Sequence, residues 1–239
     1  MIVTLPTLAV GTGPDGNPHE TPRKLTMSLL KISALAVALL LVPQAALAQS
    51  RNAIIPTYDA VRDFSLASNP HGVWSYGWLD KLGGAFTLYT WADKDTCWTG
   101  LSTWGMPDCV EPKVTHNDTG ALICPGTACF PPGYLVLHPG SSGQLSVVRW
   151  TVPSPGTFMI QGKVAGTDVF GTTTDFHVVQ NTTKELFRAN IDGYGSPISF
   201  HRVLTVSAGD TLDFVVGFGS DGAYDFDSTG IQFKIFQMQ

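Results

Sequence analysis

The chain has 239 residues, with 14 Lys and Arg against 19 Asp and Glu and a formal net charge of −5 at pH 7. An acidic chain without a basic run lacks the Lys/Arg footprint that supplies most nucleic-acid affinity, so that class of partner is excluded. No stretch is apolar for long enough to form a membrane span, which needs about 20 residues.

Residues 1–26 hold Pro6, Pro14, Pro18 and Pro22 without periodicity and read as an upstream extension, disordered or mis-started. Met27 to Lys31, the apolar run Ile32 to Val42 and the small-residue signal Ala46-Leu47-Ala48 read as a signal peptide over 27–48. Cleavage there makes Gln49 the first residue of a secreted product. Residues 49–239 are expected to form one domain, since a chain of this length buries enough surface, roughly 70%, for a single core.

Five of the six tryptophans, Trp74, Trp78, Trp91, Trp98 and Trp104, fall early in that domain. Trp74, Tyr76 and Trp78 share one strand face and are expected to point inward, because Val73, Ser75 and Gly77 opposite are too small to build a core. All four cysteines, Cys97, Cys109, Cys124 and Cys129, lie in the segment Thr96 to Pro132, which lacks sustained alternation and reads as a disulfide-stapled insertion loop. Export favours two disulfides over a zinc site, for which the spacings are wrong. Three connectivities exist, and Cys97–Cys109 with Cys124–Cys129 is favoured because each closes a short loop.

From Tyr134 onward, short runs alternate apolar and polar residues between Gly, Pro, Asn and Asp turns. Val148-Trp150-Val152, Phe158-Ile160-Gly162-Val164, Phe200-Leu204-Val206, Leu212-Phe214-Val216 and Ile231-Phe233-Ile235 each have the period-2 pattern of a half-buried strand. No segment carries the 3.6-residue period of a helix. The fold class is therefore all-β, an antiparallel, jelly-roll-like β-sandwich. The last strand is expected to close an edge or pair with an early strand.

Asp63-Phe-Ser-Leu-Ala-Ser-Asn-Pro-His-Gly-Val-Trp-Ser-Tyr-Gly77, Leu137-His-Pro-Gly140, Ser146-Val-Val-Arg-Trp150, Ala208-Gly-Asp-Thr-Leu-Asp-Phe214 and Asp227-Ser-Thr-Gly230 occur in this order. As a set they resemble a type of secreted bacterial β-sandwich domain found in PEP-CTERM-sorted proteins and beside carbohydrate-active modules. The resemblance implies a jelly-roll-like fold and carries over no catalytic residue. The sequence given stops at Gln239 without a Pro-Glu-Pro motif, apolar span or basic tail, so covalent surface sorting is not implied.

Sugar rings stack their apolar faces on flat aromatics, which makes exposed tryptophans on a secreted β-domain candidates for polysaccharide binding. Trp98 and Trp104, inside the expected Cys97–Cys109 loop, are the candidate stacking residues; plugging that loop onto the sandwich is an equal alternative. Asp221, Asp225 and Asp227, in a Gly-rich turn, are candidate ligands for a structural calcium, which takes about six to eight oxygens and so needs partners from elsewhere. As turn formers, the same aspartates need no metal. Arg149, His177, Arg202 and His138 are expected to be solvated or locally bonded.

No nucleophile elbow or zinc-protease helix is present, and the domain's glutamates are only Glu111 and Glu185, poor material for a paired-carboxylate glycosidase. The sequence thus reads as a secreted, non-catalytic binder of a polysaccharide or cell-surface glycan. A structural or matrix protein engaging other surface proteins is the alternative, and a hydrolase built from clustered Asp and His comes third.

Overall fold

The computed structural model describes residues 56–239. The upstream extension and the signal peptide expected over 27–48 lie outside the described residues. Among the described residues no helix is long and apolar enough to cross a membrane.

The described chain forms two antiparallel sheets. The larger contains β1 (Thr57–Asp59), β4 (Trp91–Lys94), β5 (Leu101–Gly105), β6 (Lys113–Asn117), β7 (Leu135–His138), β9 (Gly156–Gly166), β12 (Ile198–Val206) and β14 (Thr229–Gln237). Its order is β12-β9-β14-β7-β6-β5-β4, with β1 also paired to β14. The smaller contains β2 (Trp74–Leu79), β3 (Thr87–Leu88), β8 (Leu145–Thr151), β10 (Thr173–Gln180), β11 (Lys184–Asp192) and β13 (Thr211–Val216) in the order β11-β10-β13-β8-β2-β3. The fold is a jelly-roll-like sandwich. The last strand pairs with the early strand β1, as expected, but it lies inside the sheet rather than closing an edge, with β9 on its other side.

Between the sheets the inward residues of each alternating run interlock. Trp150 packs edge-on against Phe158, with ring centroids 5.1 Å apart, and Phe214 stacks on Phe233 at 3.6 Å. Trp74 and Tyr76 are buried in this layer and Trp78 packs against it, so the inward reading of that strand face holds.

The outer faces are not uniformly solvated. Outside the smaller sheet, Leu79, Leu145, Val147, Val179 and Val215 form a satellite core covered by Phe86 and Phe218. Beside it Arg149 makes two hydrogen bonds to Asp213, at 2.6 and 2.8 Å, with its guanidinium 3.9 Å from the Phe86 ring centroid. Outside the larger sheet, Leu101, Phe130 and Val136 form a second satellite core.

Both expected disulfides are present, Cys97–Cys109 and Cys124–Cys129. The segment they staple is not wholly a loop, because β5 and β6 lie within it and join the larger sheet. Their apolar residues are too few and too short-ranged to show a period, and pairing with β4 and β7 supplies what alternation does not. Residues 118–132 are the irregular part, and they cap the outside of the larger sheet.

Candidate functional site

A cleft of about 290 Å³ opens where the stapled segment meets the loop between β13 and β14. Trp98 reaches it from the turn before β5, Glu111 and Lys113 from the entry to β6, and His138 from the end of β7. Asp168 follows β9, while Tyr224, Asp225 and Phe226 come from the loop before β14. Thr127, Ala128 and Phe130 of the stapled segment complete the lining, so the site is assembled from six separate stretches of chain.

Trp98 is half-buried. Its ring packs on Phe130, with centroids 5.8 Å apart, and the Lys113 ammonium sits 4.5 Å from its centroid. The ring is thereby held in one orientation, with its remaining surface in the cleft. Tyr224 meets the His138 ring edge-on at 6.2 Å, and exposed Phe226 meets Phe170 edge-on at 5.2 Å. Phe226 has φ +67°, in the left-handed region that side-chain-bearing residues rarely adopt. An exposed aromatic held there places backbone strain at the rim of the cleft.

The polar groups divide into those already engaged and those turned to the cleft. Asp168 is buried and accepts hydrogen bonds from the Thr127 hydroxyl at 3.0 Å and the Phe170 amide at 3.0 Å. Burial works against an ionised Glu111, but the Lys113 ammonium 2.8 Å away prevails and holds its carboxyl below the usual range. Burial likewise keeps His138 neutral by lowering its pKa. Its Nδ1 donates to the Pro139 carbonyl at 2.8 Å, so Nε2 is the unprotonated nitrogen. Formal charge in the cleft is three carboxylates against one ammonium.

Trp104 is not in this site. It lies on β5, 6% exposed, with its face in the main core and its Nε1 donating to the Ser65 carbonyl at 2.8 Å. It has no ring face for a ligand, which corrects the expectation that both tryptophans of the Cys97–Cys109 loop present platforms. Strand pairing turns Trp104 inward, whereas Trp98 sits in the preceding turn.

The three aspartates of the Gly-rich turn do not converge on one point. Asp225 lines the cleft, whereas Asp221 and Asp227 both bond to Thr173, at 2.7 Å to its hydroxyl and 3.1 Å to its amide. Among the described residues no three His, Cys, Asp or Glu side chains are grouped to hold a metal. Asp227 is fully buried and its Oδ2 has no partner. Burial, then the nearby charges of Asp221 and Asp175, push its carboxyl up to about 7.

A second depression, of about 740 Å³, lies on the outer face of the larger sheet over β9, β12 and β14. The alternation of these strands marks their outward residues as polar, but a polar outward face has no motif that separates a groove from an ordinary solvated surface. A third cluster joins Ser102, His116 and Asp118. The Ser102 hydroxyl and His116 Nδ1 both bond to Asp118, at 2.5 and 2.7 Å, so these bonds do not pair a nucleophile with a base.

No family model and no curated protein matches the chain. Among solved structures it is similar to the C-terminal CBM6 of LamC, a marine laminarinase from Zobellia galactanivorans, at 11% identity over 62% of this chain and 93% of that one, with a TM-score of 0.28. It is also similar to a family 35 carbohydrate binding module from Clostridium thermocellum, at 13% identity over 49% of this chain and 88% of that one, TM-score 0.29. Rabbit GITRL is a further similar structure, at 14% identity over 38% of this chain and 71% of that one, TM-score 0.27. Likenesses this distant carry no argument about the site.

Proposed function

We propose that this protein is a secreted, non-catalytic binding module that engages an uncharged polysaccharide at the Trp98 cleft. The observation that carries this reading is the convergence of Trp98, Tyr224 and Phe226 with Glu111, His138 and Asp225 around one opening. Apolar rings meet the faces of a sugar while acceptors and donors beside them take its hydroxyls. Ring orientation is set in advance by Phe130, Lys113 and the Cys97–Cys109 disulfide, which reduces the ordering cost of binding. An excess of carboxylates in the cleft disfavours uronic-acid or sulfated chains there.

The state of Glu111 supports a non-catalytic role. A glycosidase acid must hold its proton near neutral pH, which requires a raised pKa. Lys113 does the opposite. The two disulfides agree with an oxidising compartment and hence with secretion.

The test is retention of the protein on a panel of insoluble neutral polysaccharides, with release of soluble sugar monitored in parallel. Trp98→Ala is expected to weaken retention roughly tenfold or more, equivalent to about 1.4 kcal/mol, while a single cooperative melting transition, lowered by the lost packing on Phe130, shows that the fold is kept. Retention unaffected by both Trp98→Ala and Tyr224→Ala would remove the cleft from consideration. Product release abolished by Glu111→Gln would replace the binding reading with a hydrolytic one.

A further inference from the structure

We infer that the groove on the open face of the larger sheet is a second binding site, shaped and charged for an extended polysaccharide bearing carboxylates. It goes beyond the cleft in place and in ligand. The groove encloses about 740 Å³. It lies on the part of the sheet's outer face that no satellite core covers. The cap formed by residues 118–132 sits over β5 and β7, and leaves β9, β12 and β14 bare.

Two cross-strand rows form its floor. One runs Ser199, Lys163, Gln232, and the next runs His201, Gln161, Lys234, Asp59. Lys163 and Lys234 are therefore diagonal neighbours on adjacent strands, with Cα atoms about 7–8 Å apart. Each has a glutamine directly opposite it, so each cation stands beside an amide that both donates and accepts. Lys163 is exposed and makes no ion pair among the described residues. Lys234 is 55% exposed while pairing with Asp59 at 3.1 Å, and the Arg62 guanidinium on the groove wall, 60% exposed, pairs with Asp63 at 2.7 Å, so Lys163 is the cation of the lining without a carboxylate partner among the described residues.

With Asp63 counted beside Arg62, three cations stand against two carboxylates there, a local excess of positive charge on a chain whose net charge is −5. An acidic protein that gathers exposed cations and amides in one open groove presents a local field there opposite to its overall one. Such a field attracts a flexible polyanion to that face and repels it from the carboxylate-rich cleft. Repeating carboxylates along a sugar chain match a row of spaced ammonium groups, and its hydroxyls match the glutamine amides.

The experiment is affinity electrophoresis of the protein expressed from the full chain, through gels containing polygalacturonate, alginate, a neutral glucan or duplex DNA. Polygalacturonate or alginate is expected to retard the protein, and Lys163→Gln with Lys234→Gln to weaken that effect about tenfold. Trp98→Ala should leave it unchanged. Both lysines are exposed, and an unchanged melting profile of the double variant verifies its fold. The inference is overturned if neither polyuronate retards the protein, if the double variant binds like the wild type, or if DNA retards it equally. Retention on neutral polymers that depends on Trp98, with no polyuronate effect, sinks the groove and leaves the cleft standing. A polyuronate effect with no neutral retention does the reverse.

Discussion

Asp227 shows how a side chain chosen for one reason from sequence has another consequence in the fold. In the chain it is one of three acidic turn residues; in the structure it is buried at the entry to β14 with one carboxylate oxygen unpartnered. Because its folded pKa, about 7, lies above the ordinary carboxylate value, the folded state holds a proton that the unfolded state releases. The resulting stability is complete below about pH 4 and is lost as pH rises through 7. Asp227→Asn should therefore flatten the melting temperature between pH 5 and 8, where the wild type falls by several degrees. The same variant tests the calcium expectation. A calcium-dependent rise in melting temperature at pH 8 that vanishes in Asp227→Asn would place a cation at the unpartnered oxygen, and no rise would leave protonation as the sole compensation.

Trp98 and the disulfides act through the short elements that hold them. The Cys97–Cys109 bridge ties the turn carrying Trp98 to the 3₁₀ turn Pro107–Cys109, across the β4-β5 hairpin. A bridge spanning 12 residues restricts the unfolded chain by about 3 kcal/mol. Replacing both cysteines with serine should lower stability by roughly that amount in denaturant titration, and should weaken retention on the cleft's polysaccharide beyond what the stability change explains. Trp98 would keep its contacts with Phe130 and Lys113 but lose the restraint on its backbone. Equal retention by the double-serine variant would show that Phe130 and Lys113 alone orient the ring. Strands β8, β9, β12, β13 and β14 were legible because each buries one face on an alternating run. β5 and β6 were not, because Thr103, Thr115 and Asn117 are buried polar residues whose hydrogen bonds across the sheet, such as Thr103 to Thr115 at 3.1 Å, replace apolar packing.

Across the whole molecule, ionisable groups set opposing limits on stability. His177 is almost fully buried, which disfavours its charged form, yet Asp175 at 2.8 Å and Glu185 at 2.7 Å prevail and raise its pKa. That stabilisation is complete below about pH 6.5 and is lost as pH rises through the raised value. Asp227 works in the same direction. Asp63, Glu111, Asp118 and Asp175 have lowered pKa values despite burial, because hydrogen-bonding and cationic neighbours outweigh it. Their contribution is present above about pH 4 and is lost as pH falls through their lowered values. The protein should thus be most stable in mild acid, about pH 4.5–6.5, and a denaturant series across pH with its maximum above pH 8 would contradict this assignment of charges.

Period-2 alternation, turn residues and cysteine spacing were enough to determine an all-β sandwich and the preferred disulfide pairing, because strand burial and short loop closure are local properties written along the chain. Which tryptophan lines a cleft was decided only by tertiary structure. Trp98 and Trp104 lie six positions apart in equivalent composition, and strand pairing alone sends one into the core and leaves the other in a cleft. The same holds for the aspartates, where Thr173 of β10 bonds to Asp221 and Asp227 while Asp225 lines the cleft. The cationic groove is likewise a product of register, since Lys163 and Lys234 are 71 residues apart in sequence and become neighbours only when β9 and β14 pair. Local pattern specifies which residues turn inward; the meeting of outward residues from distant strands depends on sheet order and register, and there the cleft and the groove are made.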